Sequence, residues 1–262
     1  MQVLLFSAVA GICGTGLGGL ISAILLKRPS EKMMCWMLTF AAGVMTSIVC
    51  FGLVPEAISL SGIILSVIGL IAGVVVIMVL NRIVDKITIT NGIDREVHHT
   101  PEGLYHEGSV IRDRTKLLRS GIVMLVAIGL HNIPEGLAIG AGGSYDIELG
   151  LLLAIMIALH NIPEGMAIAA PLLTGGVGRW KVVGLTALSG APTLVGGLFG
   201  VMLGSISDIA IAVSLAIAGG AMLYVVFGEI IPQAIVMTRS RSATIVTLFG
   251  ILVVLIIAYI GL

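Results

Sequence analysis

Leu125–Ala141 reads LVAIGLHNIPEGLAIGA and Leu151–Ala170 reads LLLAIMIALHNIPEGMAIAA, so the six residues HNIPEG occur twice, starting at His131 and at His160. Each copy lies near the middle of an apolar run long enough to cross a bilayer, which takes about 20 residues. On a helix, the His and the Glu of one copy lie on the same face, one turn apart. Ionisable side chains are costly in such surroundings, so each copy predicts a functional site.

The composition is that of a polytopic membrane protein. Of 262 residues, 58% are hydrophobic and 11% are charged, and the mean hydropathy is +1.15. These values lie outside the range of soluble globular domains. The formal net charge is zero, so no nucleic-acid partner is predicted. Glycine patterns at 11–19 and at Gly196, Gly200 and Gly204 predict seams where helices pack closely.

Eight apolar segments predict an all-α integral membrane protein, with eight transmembrane helices in one bundle domain that covers residues 1–262. The segments run approximately over 3–26, 34–54, 62–80, 119–142, 148–173, 182–204, 208–228 and 243–262. All 14 Lys and Arg residues fall in the first, third, fifth and seventh connections. Because basic residues mark cytosolic loops, both termini are expected outside the cytosol.

The third connection, residues 81–118, is the only long one. It is polar and contains three of the five histidines, His98, His99 and His106. We interpret it as a cytosolic, His-containing loop between helices three and four. It is either a weak metal-gathering segment or a solvated linker.

The two HNIPEG copies fall on helices four and five, which a short connection makes antiparallel. Both copies lie about halfway along their helices, so their polar groups are expected to meet near the bilayer midplane. Pro134 and Pro163 each remove a main-chain N–H and leave a carbonyl one turn earlier without its donor. Interruptions at matching positions of two related helices are typical of a transporter's binding site.

The residue types in the repeat suit a divalent cation. Imidazole nitrogen and carboxylate oxygen bind Zn²⁺, and also Mn²⁺, Fe²⁺, Co²⁺ and Cd²⁺. Two carboxylates balance one such ion, and without metal they are expected to hold a proton between them, because like charges in a low dielectric disfavour double ionisation. The predicted main ligands are His131, Glu135, His160 and Glu164, with Asn132 and Asn161 as weaker oxygen donors.

The same residues also bear on other possible functions. The HExxH pattern of zinc hydrolases is absent, because HNIPE has Asn in place of the catalytic Glu and no second His. No GxxxxGK[ST] phosphate loop is present, which argues against an ATPase. A metal-dependent intramembrane enzyme and a metal sensor remain the alternatives to a transporter. The predicted protein is not an enzyme, and the metal is its cargo and not a cofactor.

At these residues the sequence resembles the ZIP (zinc–iron-regulated transporter-like) family of divalent-metal transporters, especially its prokaryotic GufA-like branch. Further stretches resemble the family's second, sixth and seventh helices: AAGVM at 41–45 with FGLVPEA at 51–57, SGAPTLVGG at 189–197, and MLYVVFGEIIPQA at 222–234. The resemblance implies a metal site on helices four and five. It also implies a homodimer, and an elevator-like movement of helices 1, 4, 5 and 6 against the other four.

The resemblance also implies roles and departures for individual residues. In relatives the site can hold two ions, bridged by residues matching Glu135 and Glu164. Helix six often carries a Glu that completes the second position, and here Thr193 corresponds to it. We therefore expect a weakened or empty second position. Gln233 replaces a frequent Glu of helix seven. Met45 and Glu229 are candidates for the ion pathway.

The sequence thus predicts a multi-pass protein of the cell (plasma or inner) membrane, with the lipid bilayer as its surroundings. It is predicted to move Zn²⁺ and the related cations Cd²⁺, Fe²⁺, Mn²⁺ and Co²⁺ into the cytosol without ATP.

Overall fold

The computed structural model describes residues 1–25, 31–90, 114–238 and 241–260. Within these ranges the chain is helical almost throughout and contains no strand, which confirms the all-α prediction. The α-helices are α1 (Gln2–Ala8), α2 (Gly14–Leu25), α3 (Glu31–Ser47), α4 (Val54–Thr90), α5 (Arg114–Tyr145), α6 (Ile147–Thr174), α7 (Arg179–Ser189), α8 (Ala191–Gly204), α9 (Asp208–Val225), α10 (Ile231–Thr238) and α11 (Ser242–Ile260). Three π-helical segments join consecutive helices: Val9–Cys13, Ile48–Leu53 and Val226–Ile230.

Six helical stretches of the described chain are long and apolar enough to cross a membrane. They are Gln2–Ile24, Cys35–Leu80, Met124–Tyr145, Ile147–Thr174, Arg179–Gly204 and Asp208–Ile230, with a shorter apolar helix at Ser242–Ile257. The second stretch contains one residue with non-helical geometry, Gly62, at φ 78° and ψ 166°. Glycine tolerates this positive φ because it has no Cβ, and the chain bends there.

Side-chain caps explain where two of the helices begin. The carboxylate of Asp146 accepts a hydrogen bond from the main-chain N–H of Glu148 at 3.0 Å, so α6 starts directly after α5 ends. The hydroxyl of Ser207 accepts from the N–H of Ala210 at 3.2 Å at the start of α9. Each cap satisfies one of the N–H groups that the first turn leaves without a partner.

The two helices that carry the motif are not interrupted at their prolines, in contrast to the prediction. α5 continues through Pro134 to Tyr145, and α6 continues through Pro163 to Thr174. Proline is tolerated inside membrane helices, because neighbouring helices satisfy the main-chain groups that it frees. The irregular backbone lies instead in the partner helices, at the π-helical segment Val9–Cys13 and at Gly190, between α7 and α8.

The predicted third and fourth spans, 62–80 and 119–142, lie within longer helices, α4 and α5. α4 continues to Thr90 and α5 begins at Arg114. Between them, residues 91–113, including His98, His99 and His106, lie outside the described residues.

Glycine contacts join α1, α2, α5, α6, α7 and α8 into one packed group, which we call the site block. An added Cβ at Gly136 would meet the carbonyl oxygen of Thr193, and one at Gly165 would meet the carbonyl oxygen of Thr15. At Gly11 it would meet the carbonyl oxygen of Gly190. Backbones approach this closely only where side chains are absent, which confirms the glycine stretches as packing seams.

The remaining helices, α3, α4, α9, α10 and α11, lie outside this group, and we call them the outer block. An added Cβ at Gly43 would meet the carbonyl oxygen of Thr247, and one at Gly73 would meet that of Ile217. Between the blocks, α5 faces α9 and α3 faces α6. In the described residues, no close glycine contact with a main-chain atom crosses that boundary.

Candidate metal centre

The centre is built by the repeated motif on α5 and α6, at the middle of the site block. His131, Glu135 and Glu164 each offer one ligand atom, and these atoms lie within 4.8 Å of one another. The three side chains are at most 5% exposed. α5 and α6 are antiparallel neighbours, and the faces that carry the two motifs are turned towards each other.

The pairing between the motifs is crossed. Nε2 of His160 lies 3.1 Å from Oε1 of Glu135, and Nε2 of His131 lies 3.9 Å from Oε1 of Glu164. Each histidine therefore faces the carboxylate of the other copy. Packing of α5 against α6 creates this arrangement, since within one copy the His and the Glu merely stack one turn apart.

A main-chain contact orients the second imidazole. Nδ1 of His160 lies 3.1 Å from the carbonyl oxygen of Met156, one turn earlier on α6. A carbonyl can only accept, so Nδ1–H donates and the neutral ring carries its lone pair on Nε2. Histidines that bind metals usually hold their other ring nitrogen in this way. The lone pair on Nε2 then faces Glu135, and the contact calls for a shared proton or a cation between the two groups.

Several buried nitrogen and oxygen atoms of the site block have no hydrogen-bond partner in the described residues. They include Nε2 of His131, Oε2 of Glu135, both carboxylate oxygens of Glu164, Oδ1 of Asn132, Oδ1 of Asn161 and Oγ1 of Thr193. A buried polar atom without a partner costs about 1–3 kcal/mol, and more when it is charged. Their nitrogen and oxygen types match the ligands of a divalent cation, and one ligand atom each from His131, Glu135 and Glu164 lies within 4.8 Å of the others.

The two asparagines are held by their amide nitrogens. Nδ2 of Asn132 donates to the carbonyl of Ser189 at 2.7 Å, and Nδ2 of Asn161 donates to the carbonyl of Ala10 at 3.1 Å. These main-chain acceptors cannot be predicted from the sequence, because residue type does not show which carbonyl lacks a hydrogen-bond donor within its own helix.

The other residues that the sequence analysis named differ in how far they are buried. Thr193 is fully buried, with its hydroxyl beside Gly11. Met45 is fully buried in the main core. Glu229 is partly exposed in the π-helical segment Val226–Ile230. The side chain of Gln233 lies outside the described part of the chain.

Comparison with known proteins shows the family of the chain. The model of the ZIP Zinc transporter family matches residues 88–258. The chain belongs to the ZIP family. Its relatives include the zinc transporter ZupT of Akkermansia muciniphila, with 32% identity over 246 residues, covering 89% of this chain and 88% of the relative. The zinc transporter ZTP29 of Arabidopsis thaliana is 31% identical over 255 residues, covering 95% and 91%.

The GufA-like part of the predicted resemblance is also confirmed. The zinc transporter GufA of Myxococcus xanthus is 39% identical to this ZIP protein over 139 residues, covering 53% of this chain and 55% of the relative. The family consists of transporters and not enzymes, which sets the intramembrane-enzyme alternative aside. The ZIP family and the six apolar helices together identify a multi-pass membrane protein.

Proposed function

We propose that this ZIP protein moves Zn²⁺ and related divalent cations, including Cd²⁺, Fe²⁺, Mn²⁺ and Co²⁺, through the centre on helices four and five into the cytosol. The supporting observation is the set of buried nitrogen and oxygen atoms around Glu135 and Glu164 that have no protein partner. A divalent cation satisfies them and neutralises the two carboxylates. The ion is the transported substrate.

The positions of the atoms support the proposed ligand set. His131, Glu135, His160 and Glu164 are the main ligands, because their nitrogen and carboxylate atoms converge. Asn132 and Asn161 contribute more weakly through Oδ1, since their amide nitrogens are already engaged. Glu229 and Met45 line the pathway by which ions arrive or leave.

Eight spans account for the helices better than six. Cys35–Leu80 has 46 residues, and a helix of that length is ~69 Å long at ~1.5 Å per residue, about twice the thickness of a bilayer's hydrocarbon core. The bend at Gly62 divides it into two spans, and Ser242–Ile257 supplies another. With the basic residues on the cytosolic side, both termini are extracytoplasmic and the protein belongs in the cell membrane.

The glycine contacts support movement between two bodies. Main-chain contacts at glycine hold the site block together, and others join α3 to α11 and α4 to α9 in the outer block. In the described residues no such contact links the two blocks. We infer that the site block slides against the outer block in an elevator-like movement, and that the protein works as a homodimer.

Flux measurements test the proposed function. Purified protein in liposomes, without nucleotide, is expected to carry zinc and cadmium with saturable kinetics. Glu135→Ala removes a buried ligand and is expected to abolish this flux. Glu148→Ala is the matched control, because Glu148 is an exposed carboxylate in the first turn of α6. Binding of zinc without flux in the wild-type protein would refute transport and support a sensor.

A further inference from the structure

The amide groups of Asn132 and Asn161 turn towards neighbouring helices at the level of the metal centre. Nδ2 of Asn132 donates to Ser189 at the end of α7, and Nδ2 of Asn161 donates to Ala10 in the π-helical segment Val9–Cys13. Both asparagines are fully buried. The bonds therefore connect α5 and α6, which carry the motifs, to two neighbouring spans. These are helix six (α7 and α8) and helix one (α1, the π-helical segment Val9–Cys13 and α2).

Each accepting carbonyl has lost the donor that a regular α-helix would provide, which is the N–H four residues later. For Ser189 that donor is the N–H of Thr193, but this group bonds the carbonyl of Gly190 at 3.2 Å. For Ala10 the donor is the N–H of Gly14, and this group bonds the carbonyl of Gly11. A carbonyl in the membrane interior requires a partner, and an asparagine supplies it in both places.

The surroundings of the two bonds match. Next to Asn132, Gly136 packs against the carbonyl of Thr193; next to Asn161, Gly165 packs against the carbonyl of Thr15. The helices that carry the acceptors cross at Gly11 and Gly190, which contact each other. Each HNIPEG copy thus holds one flanking helix through the same position of the motif.

We propose that Asn132 and Asn161 are positioning residues, which fasten helix six and helix one to the ion-binding helices through their amide N–H groups. The bonds keep the site block together as one body. They also fix the direction of both Oδ1 atoms, which have no other partner. The consequence for transport rests on the proposed function, whereas the structural coupling does not.

Hydrogen exchange of the metal-free protein in nanodiscs, followed by mass spectrometry, tests the coupling. Asn132→Leu is expected to speed exchange around residues 186–193 and not around 9–15. Asn161→Leu is expected to do the reverse. Interhelical hydrogen bonds in membranes contribute ~0.6 to ~1.7 kcal/mol, which converts to roughly three- to twenty-fold faster exchange. Leucine keeps the side chain's approximate shape, and Asn132→Ala with Asn161→Ala provides a second pair if leucine disturbs packing.

The neighbouring histidines are matched controls. His131→Ala and His160→Ala remove a metal ligand one position away on the same helix, and are expected to leave both segments at wild-type exchange. The proposal is overturned if either asparagine variant leaves its partner segment unchanged, or if both variants loosen both segments equally.

Zinc flux of the same variants in liposomes tests the consequence for transport. Both asparagine-to-leucine variants are expected to lose most of their flux. Unchanged flux in a variant with a loosened segment would contradict the positioning role. Absence of flux in the wild-type protein would instead refute the proposed function and would leave the exchange result valid.

Discussion

Nε2 of His160 on α6 lies 3.1 Å from Oε1 of Glu135 on α5, so the second copy of the motif is bound to the first through its imidazole. The other ring nitrogen is engaged by the carbonyl of Met156. The ring is thus held in one orientation with Nε2 towards a carboxylate. This is the arrangement expected of a metal ligand whose position does not depend on the ion.

Replacement of His160 by Ala is expected to abolish saturable zinc uptake while the protein remains folded. The change removes the nitrogen that faces Glu135 and leaves that carboxylate without its partner. Uptake of radioactive zinc into liposomes measures the loss, and size-exclusion chromatography monitors folding. Wild-type uptake by a well-folded variant would show that the ion passes elsewhere.

The uncharged Thr193 is expected to limit the protein to one tightly bound divalent ion. Its hydroxyl lies buried beside Gly11 and is uncharged, whereas a glutamate at this position would add a third carboxylate to the site block. Thr193→Glu is therefore expected to raise the number of tightly bound ions from one to two. Equilibrium dialysis with elemental analysis of purified protein gives the number per chain. Two tight ions in the wild-type protein would contradict this prediction.

Zinc is expected to stabilise the folded protein through the same centre. A ligand present at about 100 times its Kd stabilises the state that binds it by ~2.7 kcal/mol. Thermal unfolding in detergent should shift upward with zinc and return to the metal-free value after chelation. Glu164→Ala removes two unpartnered oxygens and is expected to lose the shift. An equal shift in this variant would indicate that zinc binds at another place.

Close packing at the glycines of the site block predicts opposite effects for one substitution at two positions. Gly165→Ala places a Cβ against the carbonyl of Thr15, and is expected to destabilise the protein by ~1–3 kcal/mol through overpacking. Gly184→Ala is the control, because Gly184 is exposed on α7 with no atom within 4 Å of an added Cβ. It should be neutral or stabilising by up to about 1 kcal/mol. Thermal midpoints in detergent compare the two; equal effects would contradict the packing argument.

The proposed eight-span topology predicts which side of the membrane is accessible near the bend of α4. With Cys13 and Cys50, the exposed cysteines, replaced by serine, Ser61→Cys should react with an impermeant maleimide in intact cells. Arg82→Cys should react only after the membrane is opened. Labelling of both residues from outside would contradict the division of Cys35–Leu80 at Gly62.

The sequence by itself determined the membrane class, the helical fold and the two His–Glu pairs that the structure brings together. Apolar runs are long enough to settle the first two, because a backbone in lipid must bond within its own helix. The identical spacing of His131–Glu135 and His160–Glu164 placed each pair on one face. The glycine patterns indicated the seams, since only small side chains permit such an approach.

Only the tertiary structure decided which groups face each other. Spacing within a motif cannot show that His160 pairs with Glu135, because that contact depends on how α5 and α6 are rotated against each other. Nor can it show the carbonyls of Ala10 and Ser189 as acceptors for the asparagines. Every residue has a carbonyl, and these two become free through local changes in main-chain hydrogen bonding, at a π-helical segment and at the end of a helix. Side-chain types indicate which chemistry is available, while the packing of helices selects the partners.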